Sequence, residues 1–349
     1  FAPYEDDLEY LEEAFEVVAS RIRVYNLRQE SHDDPARAFR DRSTEAVQRE
    51  LHAKEKQAYR QWRKRLAVTA TAIGWLPRLE ILALKRGLPH LDVMFLLTLA
   101  ASVISQSVKR TIASGSSGFN AGITIGFLLG VHCPSLRTQI ASRSRFYKSA
   151  PLVSHSLVQV ADRGRYGSGD LTGTCGGFCV VIDRRIVDFC VGLETELGEL
   201  IGDGNLACYA PTTTLDQVVL PDATKALIVE AVECFARVRR LQDDVGLDRQ
   251  YGTKGLILLF HGPSGTGKTM AANALANHVG KRLLCVEAPP SGGFIDSETF
   301  RLIARESLLQ DAIVLIDECE ALFESRESMR SNVASTLHAL EQFEGVLIL

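Results

Sequence analysis

Apolar positions along the chain follow three different rhythms. Residues 5–16 place seven acidic side chains and no basic one among Leu8, Tyr10, Leu11 and Phe15, and with Val18 this is the spacing of an amphipathic helix. Ser43–Arg65 is again polar with a helical period and ends in the basic cluster Arg60, Arg63, Lys64 and Arg65. These two stretches are expected to form long exposed helices packed as a hairpin. From Leu76 to Val160 apolar segments alternate with breaks at Gly87–Pro89, Ser114–Gly118 and Cys133–Pro134, which predicts a small, mostly helical domain. Gly164–Gly177 has six glycines in fourteen residues and reads as a loop. Val180–Asp183 followed by Arg184–Val191 reads as a short strand running into a helix.

The texture changes near Asp203–Thr214, where turn formers replace large apolar residues and a linker is expected. Val218–Leu220 is a short strand candidate, and Pro221–Asp222 opens a helix over Ala223–Leu241. Beyond Tyr251–Gly252, apolar runs at Leu256–Phe260, Leu283–Val286, Ile313–Ile316 and Val346–Leu349 are spaced by helical segments. Uninterrupted apolar strands between helices are what a buried parallel sheet requires. Three regions are expected: a helical region 1–65, a small helical domain 66–205, and an α/β core 214–349.

Composition adds limits rather than detail. A length of 349 residues suggests about two to three domains. The hydrophobic share of 46% and charged share of 23% are ordinary for globular proteins and a poor fit to disordered, collagen-like or coiled-coil classes. The net charge of −4 names no partner. Its distribution is uneven, with 11 Lys/Arg against 4 Asp/Glu in residues 66–170 and 15 against 25 in residues 171–349, which suggests separate modules. Eight cysteines are scattered at 133, 175, 179, 190, 208, 234, 285 and 319. A chain this long needs no disulfide staples, so reduced thiols in an intracellular compartment are expected, the cytoplasm first, with an organelle left open. Cys175 and Cys179 are the one close pair, and no zinc set completes them; Cys285 and Cys319 read as small buried core residues. Leu91–Ile104, which contains Asp92, and Phe119–Cys133 both fall short of the roughly 18 to 20 residues of a bilayer span, so they are expected to be buried core helices. The first residue is Phe1 rather than Met, which points to a natural start upstream.

The strongest chemical signal is GPSGTGKT over Gly262, Pro263, Ser264, Gly265, Thr266, Gly267, Lys268 and Thr269, a full match to G-x-x-x-x-G-K-S/T. A predicted strand precedes it and a predicted helix, Met270–Val279, comes after it. Glycines let backbone N–H groups point inward around phosphates, and the helix N-terminus adds positive potential beneath them. Lys268 can reach the β- and γ-phosphates of ATP, and Thr269 can give its hydroxyl to Mg²⁺. A second element makes the site one for hydrolysis. The apolar run Ile313–Ile316 ends in Asp317 and Glu318, where open α/β sheets bind ligands. Asp317 is expected to hold Mg²⁺ and Glu318 to orient and deprotonate the attacking water.

These residues resemble the AAA+ ATPases over about 135 residues, Thr214–Leu349. The phosphate loop from Phe260 to Thr269, the Walker B strand and its succeeding helix Ile316–Phe323, and Glu341–Leu349 all match the family's pattern. Val245 and Gly246, within Asp244–Leu247, sit where the family places its adenine-contacting loop, and Met270 comes directly after the phosphate loop. Gly87–Leu99, Val180–Asp183 and Phe260–Pro263 are similar to bacterial-type AAA ATPases with a winged-helix-like N-terminal region, including ATPase subunits of contractile injection systems. The resemblance implies a P-loop parallel-sheet core preceded by a mostly helical, winged-helix-like region. It further implies a ring-forming homo-oligomer, commonly a hexamer, that uses ATP and Mg²⁺ to remodel, unfold or disassemble a protein partner. The family's sensor 1, arginine finger, fifth strand and lid would come after Leu349 and are not assigned. Gly293–Ile295, with Phe294, is the pore-loop candidate.

Other readings remain open from sequence. A nucleotide-stabilised structural subunit would bind ATP and turn over slowly. A DNA-directed ATPase would use Lys109, Arg110, Arg137, Arg143, Arg145 and Lys148, although no recognition helix with interleaved Asn, Gln and Arg stands out and nucleic acid is not the expected partner. A phosphate-loop kinase is disfavoured by Asp317–Glu318. His261, just before the loop, is expected to pack at the strand end.

Overall fold

The computed structural model describes residues 1–33, 42–115, 122–161, 178–193, 206–245, 255–263, 265–287, 297–317, 340–341 and 343–349. The chain divides into two compact units, residues 1–195 and 196–349. Residues 1–65 and the helical region after them therefore share one unit.

In the first unit, α1 (Asp7–Asp33) packs on α2 (Arg42–Ile73), which runs past the expected end at Arg65. The hairpin is present, but α1 is not an exposed arm. It buries Tyr10, Leu11, Ala14, Phe15, Val17, Val18 and Ile22 and forms part of the core. Its acids do not prevent this because they lie on the rim: Glu9 and Glu13 both accept hydrogen bonds from the Arg65 guanidinium of α2, Glu13 at 3.1 Å. Both helices exceed the length that two isolated amphipathic stripes would suggest, because burial rather than propensity stabilises them.

Next come α3 (Arg78–Arg86), α4 (His90–Ile104), α5 (Gln106–Ser114), α6 (Ile125–His132), α7 (Leu136–Ser142) and α8 (Pro151–Ser154). The breaks read from sequence are their caps. Gly87 ends α3 with φ of 60°, a conformation glycine adopts without strain. The Ser105, Thr124 and Ser135 hydroxyls accept backbone N–H groups at the starts of α5, α6 and α7. α4 is buried from Asp92 to Ala101 and is a core helix as expected. The buried Asp92 carboxylate meets the Arg145 guanidinium at 3.0 Å. Burial pushes the Asp92 carboxyl above its ordinary range, and Arg145 offsets only part of that rise.

β1 (Val158–Ala161) and β2 (Cys179–Ile182) form an antiparallel pair with Val158 opposite Ile182. Thr124, just ahead of α6, makes an isolated antiparallel bridge to Cys179. β2 leads into α9 (Arg184–Cys190), capped by Asp183 Oδ1 accepting Arg185 N–H at 2.8 Å. A run of helices followed by an antiparallel pair is consistent with a winged-helix domain. The glycine-rich loop 164–177, with Cys175, lies outside the described residues.

The second unit comprises β3 (Leu206–Tyr209), α10 (Asp222–Val245), β4 (Gly255–Leu258), α11 (Lys268–His278), β5 (Arg282–Glu287), α12 (Ser297–Leu309), β6 (Ala312–Asp317) and β7 (Gly345–Ile348). The sheet order is β3-β5-β6-β7-β4, parallel except for β3. Central β6 alternates between two cores. Val314 and Ile316 pack with Phe300, Ile303 and Phe343 on one face. Ile313 and Leu315 pack with Ala272, Leu275, Ala276 and Val232 on the other. This is the three-layer α/β arrangement that apolar strands between helices require.

Three local expectations change. The segment expected as a linker contains β3, because Leu206–Tyr209 pairs with the outer edge of β5. Val218–Leu220 is not a strand: Leu215–Gln217 forms a 3₁₀ turn, Val218 is buried and Val219 is 97% exposed. Among the described residues β4 is the last strand on its side of the sheet, and Ile257 and Leu259 are exposed although the run is wholly apolar. Among the described residues no single helix is long and apolar enough to cross a membrane.

Candidate functional site

The phosphate-loop residues connect β4 to α11. Strand pairing continues past β4, with Phe260 N–H donating to Leu349 O at 2.7 Å, and then the chain turns sharply. Gly265 and Gly267 take φ of 80° and 89°, left-handed values that a side chain strains. A Cβ at Gly262 would lie 3.0 Å from Thr266 Oγ1. That hydroxyl donates to Pro263 O at 2.8 Å and closes the loop upon itself. Helix α11 starts immediately, so its unpaired N–H groups face the loop, the arrangement that favours a polyphosphate.

Lys268 and Thr269 are the first two residues of α11. The Lys268 ammonium folds back over the loop and donates to Gly262 O at 2.8 Å and Pro263 O at 3.3 Å. It is thus held on one side of the turn by weak carbonyl partners that a phosphate oxygen would outcompete, since ionic hydrogen bonds are the stronger kind. Thr269 Oγ1 donates to Asp317 Oδ2 at 2.8 Å. Asp317 ends β6, two strands away from β4 in the sheet, and parallel strands bring both C-terminal ends to one rim. One hydroxyl and one carboxylate, both hard oxygen donors, suit Mg²⁺, which takes most of its remaining ligands from water and phosphate.

Burial, together with the Asp317 and Glu287 carboxylates, pushes the neighbouring Cys285 thiol up to about 11. It is a partly buried, protonated core group as expected. Met270 and His261 are both exposed. His261 is therefore not buried at the strand end, where the chain leaves the sheet. Ser264, Gly246, Phe294, Glu318 and Cys319, and the side chain of Val245, lie outside the described residues.

Sequence reasoning missed one part of the site. Leu215, Val218, Leu220, Ile228, Val229, Phe260, Ala271 and Leu275 line a narrow apolar cleft, with Lys225 at its edge, beside the phosphate loop. The signal was present: Thr214 and Gln217 form a capping box, and Leu215 and Val218 stand three apart on a single turn.

Comparison with known proteins agrees with this geometry. The model described as winged helix domain, variant, matches residues 1–202. The model of the ATPase family associated with various cellular activities (AAA) matches residues 258–347. The chain belongs to the variant winged-helix domain family and, over residues 258–347, matches an AAA ATPase domain. A 26S proteasome regulatory subunit homologue of Methanocaldococcus jannaschii is 38% identical over 89 residues, 24% of each chain. The 26S proteasome regulatory subunit 6B homologue of Dictyostelium discoideum is 28% identical over 203 residues, 51% of this chain and 48% of the relative. A solved chain from work described as Structural Basis for Katanin Self-Assembly has 20% identity and a TM-score of 0.30, covering 44% of this chain and 51% of its own. The chain thus spans between a quarter and a half of the length of these relatives.

Proposed function

We propose that this chain is an ATP-hydrolysing AAA module that remodels, unfolds or disassembles a protein partner as a ring of identical subunits, a hexamer. The observation that carries the Mg²⁺–nucleotide part is the meeting of Thr269 with Asp317 directly beside Lys268 and the loop. The hydrolytic part rests on Glu318, the next residue in sequence.

The triphosphate lies over the loop. Lys268 leaves the Gly262 and Pro263 carbonyls and donates to the β- and γ-phosphate oxygens. Loop amides and the α11 N-terminus donate to the remaining oxygens, so charge that develops during transfer meets donors already in place. Thr269 and Asp317 would hold Mg²⁺, which when bound neutralises charge on the β- and γ-phosphates. Glu318, next after Asp317, positions the attacking water and accepts its proton. Val245 and Gly246 remain proposed base contacts.

The relatives named as proteasome regulatory subunit homologues support a protein substrate. The first unit also favours protein over DNA. α7 exposes Leu136 at 71% and Ile140 at 58%, apolar side chains that make no hydrogen bond to a base edge, and Arg145 is paired with Asp92.

Glu318→Gln separates binding from chemistry. ATP should bind this variant as it binds the parent while phosphate release stops. Release at the parent rate would remove Glu318 from the mechanism.

A further inference from the structure

Helix α10 carries two apolar stripes, although one is enough to seat it on the sheet. The first is Ile228, Val229, Val232 and Phe235, which pack in the core cluster that contains Leu275, Ile313 and Leu315. The second is Leu227, Ala231, Cys234, Val238 and Leu241, about a third of a turn round the helix from the first. It does not face inward. Leu227 is 67% exposed, Val238 43% and Leu241 57%; Cys234 is exposed and Ala231 is partly buried.

Single exposed apolar side chains are ordinary, but these are not scattered. Their spacing of four, three, four and three residues is the a/d repeat of a coiled coil, the seam that one helix offers another. From Leu227 to Leu241 the seam runs for about 21 Å along the axis. The sheet does not account for it, because the first stripe already meets the sheet.

The charges beside the seam decide what kind of helix fits it. Glu230 precedes Ala231 and Arg237 precedes Val238, so they hold the same heptad position one repeat apart. About 10 Å of helix separates them, too far for them to pair with each other. Among the described residues neither makes an ion pair. The nearby Glu233 is different, since its carboxylate meets His278 Nε2 at 3.2 Å. On the other flank of the seam the equivalent positions are Ile228 and Phe235, both turned into the core. A parallel partner helix would set Glu230 and Arg237 against those apolar positions. An antiparallel copy sets Glu230 beside Arg237 of the second copy, and Arg237 beside its Glu230. In the same arrangement Leu227 meets Val238 of the second copy, and Ala231 meets its Cys234. The helix is therefore its own complement in both shape and charge.

We propose that the outer stripe of α10 docks a second copy of this chain, as an antiparallel helix pair about a two-fold axis. Such an isologous contact closes on two copies and is distinct from the head-to-tail contact that builds a ring. It uses none of Lys268, Thr269 and Asp317, so it should form without nucleotide.

The test is sedimentation equilibrium of the full chain, free of nucleotide, over a wide range of concentration. The parent should show a monomer–dimer equilibrium. Leu227→Glu sets a carboxylate against Val238 of the second copy, twice in each dimer, and should leave only monomer. Unchanged circular dichroism would show that this variant is folded. Glu230→Arg and Arg237→Glu should each weaken the dimer about tenfold, because two attractive contacts become repulsive. The two exchanges combined should restore the parent's affinity. A short bismaleimide should link two copies of the parent through Cys234 and fail with Cys234→Ser. A parent that stays monomeric at every concentration would overturn the proposal. So would an assembly that survives Leu227→Glu, or single charge reversals that the combined exchange does not repair.

Discussion

The hydroxyl of Thr269 and the carboxylate of Asp317 meet at 2.8 Å although 48 residues separate them. One begins the helix after the phosphate loop, and the other ends the central strand of the sheet. Their meeting turns a loop that could merely bind phosphate into a site with oxygen donors beside it. Thr269→Val, which keeps the branched shape and removes the hydroxyl, should leave nucleotide binding in the absence of Mg²⁺ unchanged and reduce the gain that Mg²⁺ gives. Titration of ATP with and without Mg²⁺ checks this, and an undiminished Mg²⁺ effect would remove Thr269 from the metal's ligands.

Lys268 contributes through charge. Its ammonium is placed at the loop, and a hydrogen bond to a charged group contributes about 2 kcal/mol. Lys268→Ala should therefore raise the Kd for ATP by roughly thirtyfold. Equal affinities for the parent and the variant would mean that the Gly262 and Pro263 carbonyls are its real partners.

Arg145 is the cleanest test of what the basic surface does. Its guanidinium compensates the buried Asp92 at 3.0 Å. Arg145→Ala would leave a carboxylate uncompensated inside the first unit and should cost about 2 to 4 kcal/mol, reduced from the fully buried case because Arg145 is itself partly exposed. Urea denaturation measures it. A change below about 0.5 kcal/mol would fit a surface arginine instead.

The first unit should also be acid-sensitive. The Thr98 hydroxyl donates to Met94 O at 2.8 Å, so His132 Nε2–H is the donor in their 2.7 Å contact, and Nδ1 accepts from Arg21 at 3.3 Å. A second proton on His132 would point at a guanidinium. Burial, with Arg21 and His90 nearby, lowers His132 to about 3. Burial, with Arg63 and Arg21, lowers His90 to about 4, while its Nε2 meets Tyr59 Oη at 2.7 Å. Both folded values lie below the unfolded value of about 6.5, so the unfolded chain binds more protons as pH falls. Stability should be full above about pH 6.5 and decline toward pH 4, by up to about 1 kcal/mol per pH unit for each histidine after allowance for partial solvent access. A flat stability profile from pH 7 to 4.5 would contradict the neutral assignment.

Much of this was legible before the fold was known, for identifiable reasons. The phosphate loop is local: its glycines, Lys268 and Thr269 are adjacent in sequence, and the φ values of Gly265 and Gly267 accord with residue type. The strands of the parallel sheet are apolar on both faces, so Ile313–Ile316 reads directly as a buried strand. What escaped depends on distant partners. The acids of residues 5–16 suggest an exposed helix until Arg65 is seen to meet Glu9 and Glu13. Leu206–Tyr209 reads as a linker because nothing local shows that β5 has an edge to offer. The hydrogen bonds of Asn273 and Asn277 to the Thr212 and Thr213 backbone are invisible for the same reason, since two asparagines inside a helix are, in sequence, only weak helix formers.

ATP turnover by the full chain, measured over a range of protein concentrations in Mg²⁺ and in EDTA, tests the central claim most directly. Phosphate release should require Mg²⁺ and rise faster than linearly with concentration as neighbouring subunits complete each other's sites. Tight ATP binding with no release at any concentration would contradict this and leave a nucleotide-stabilised structural subunit.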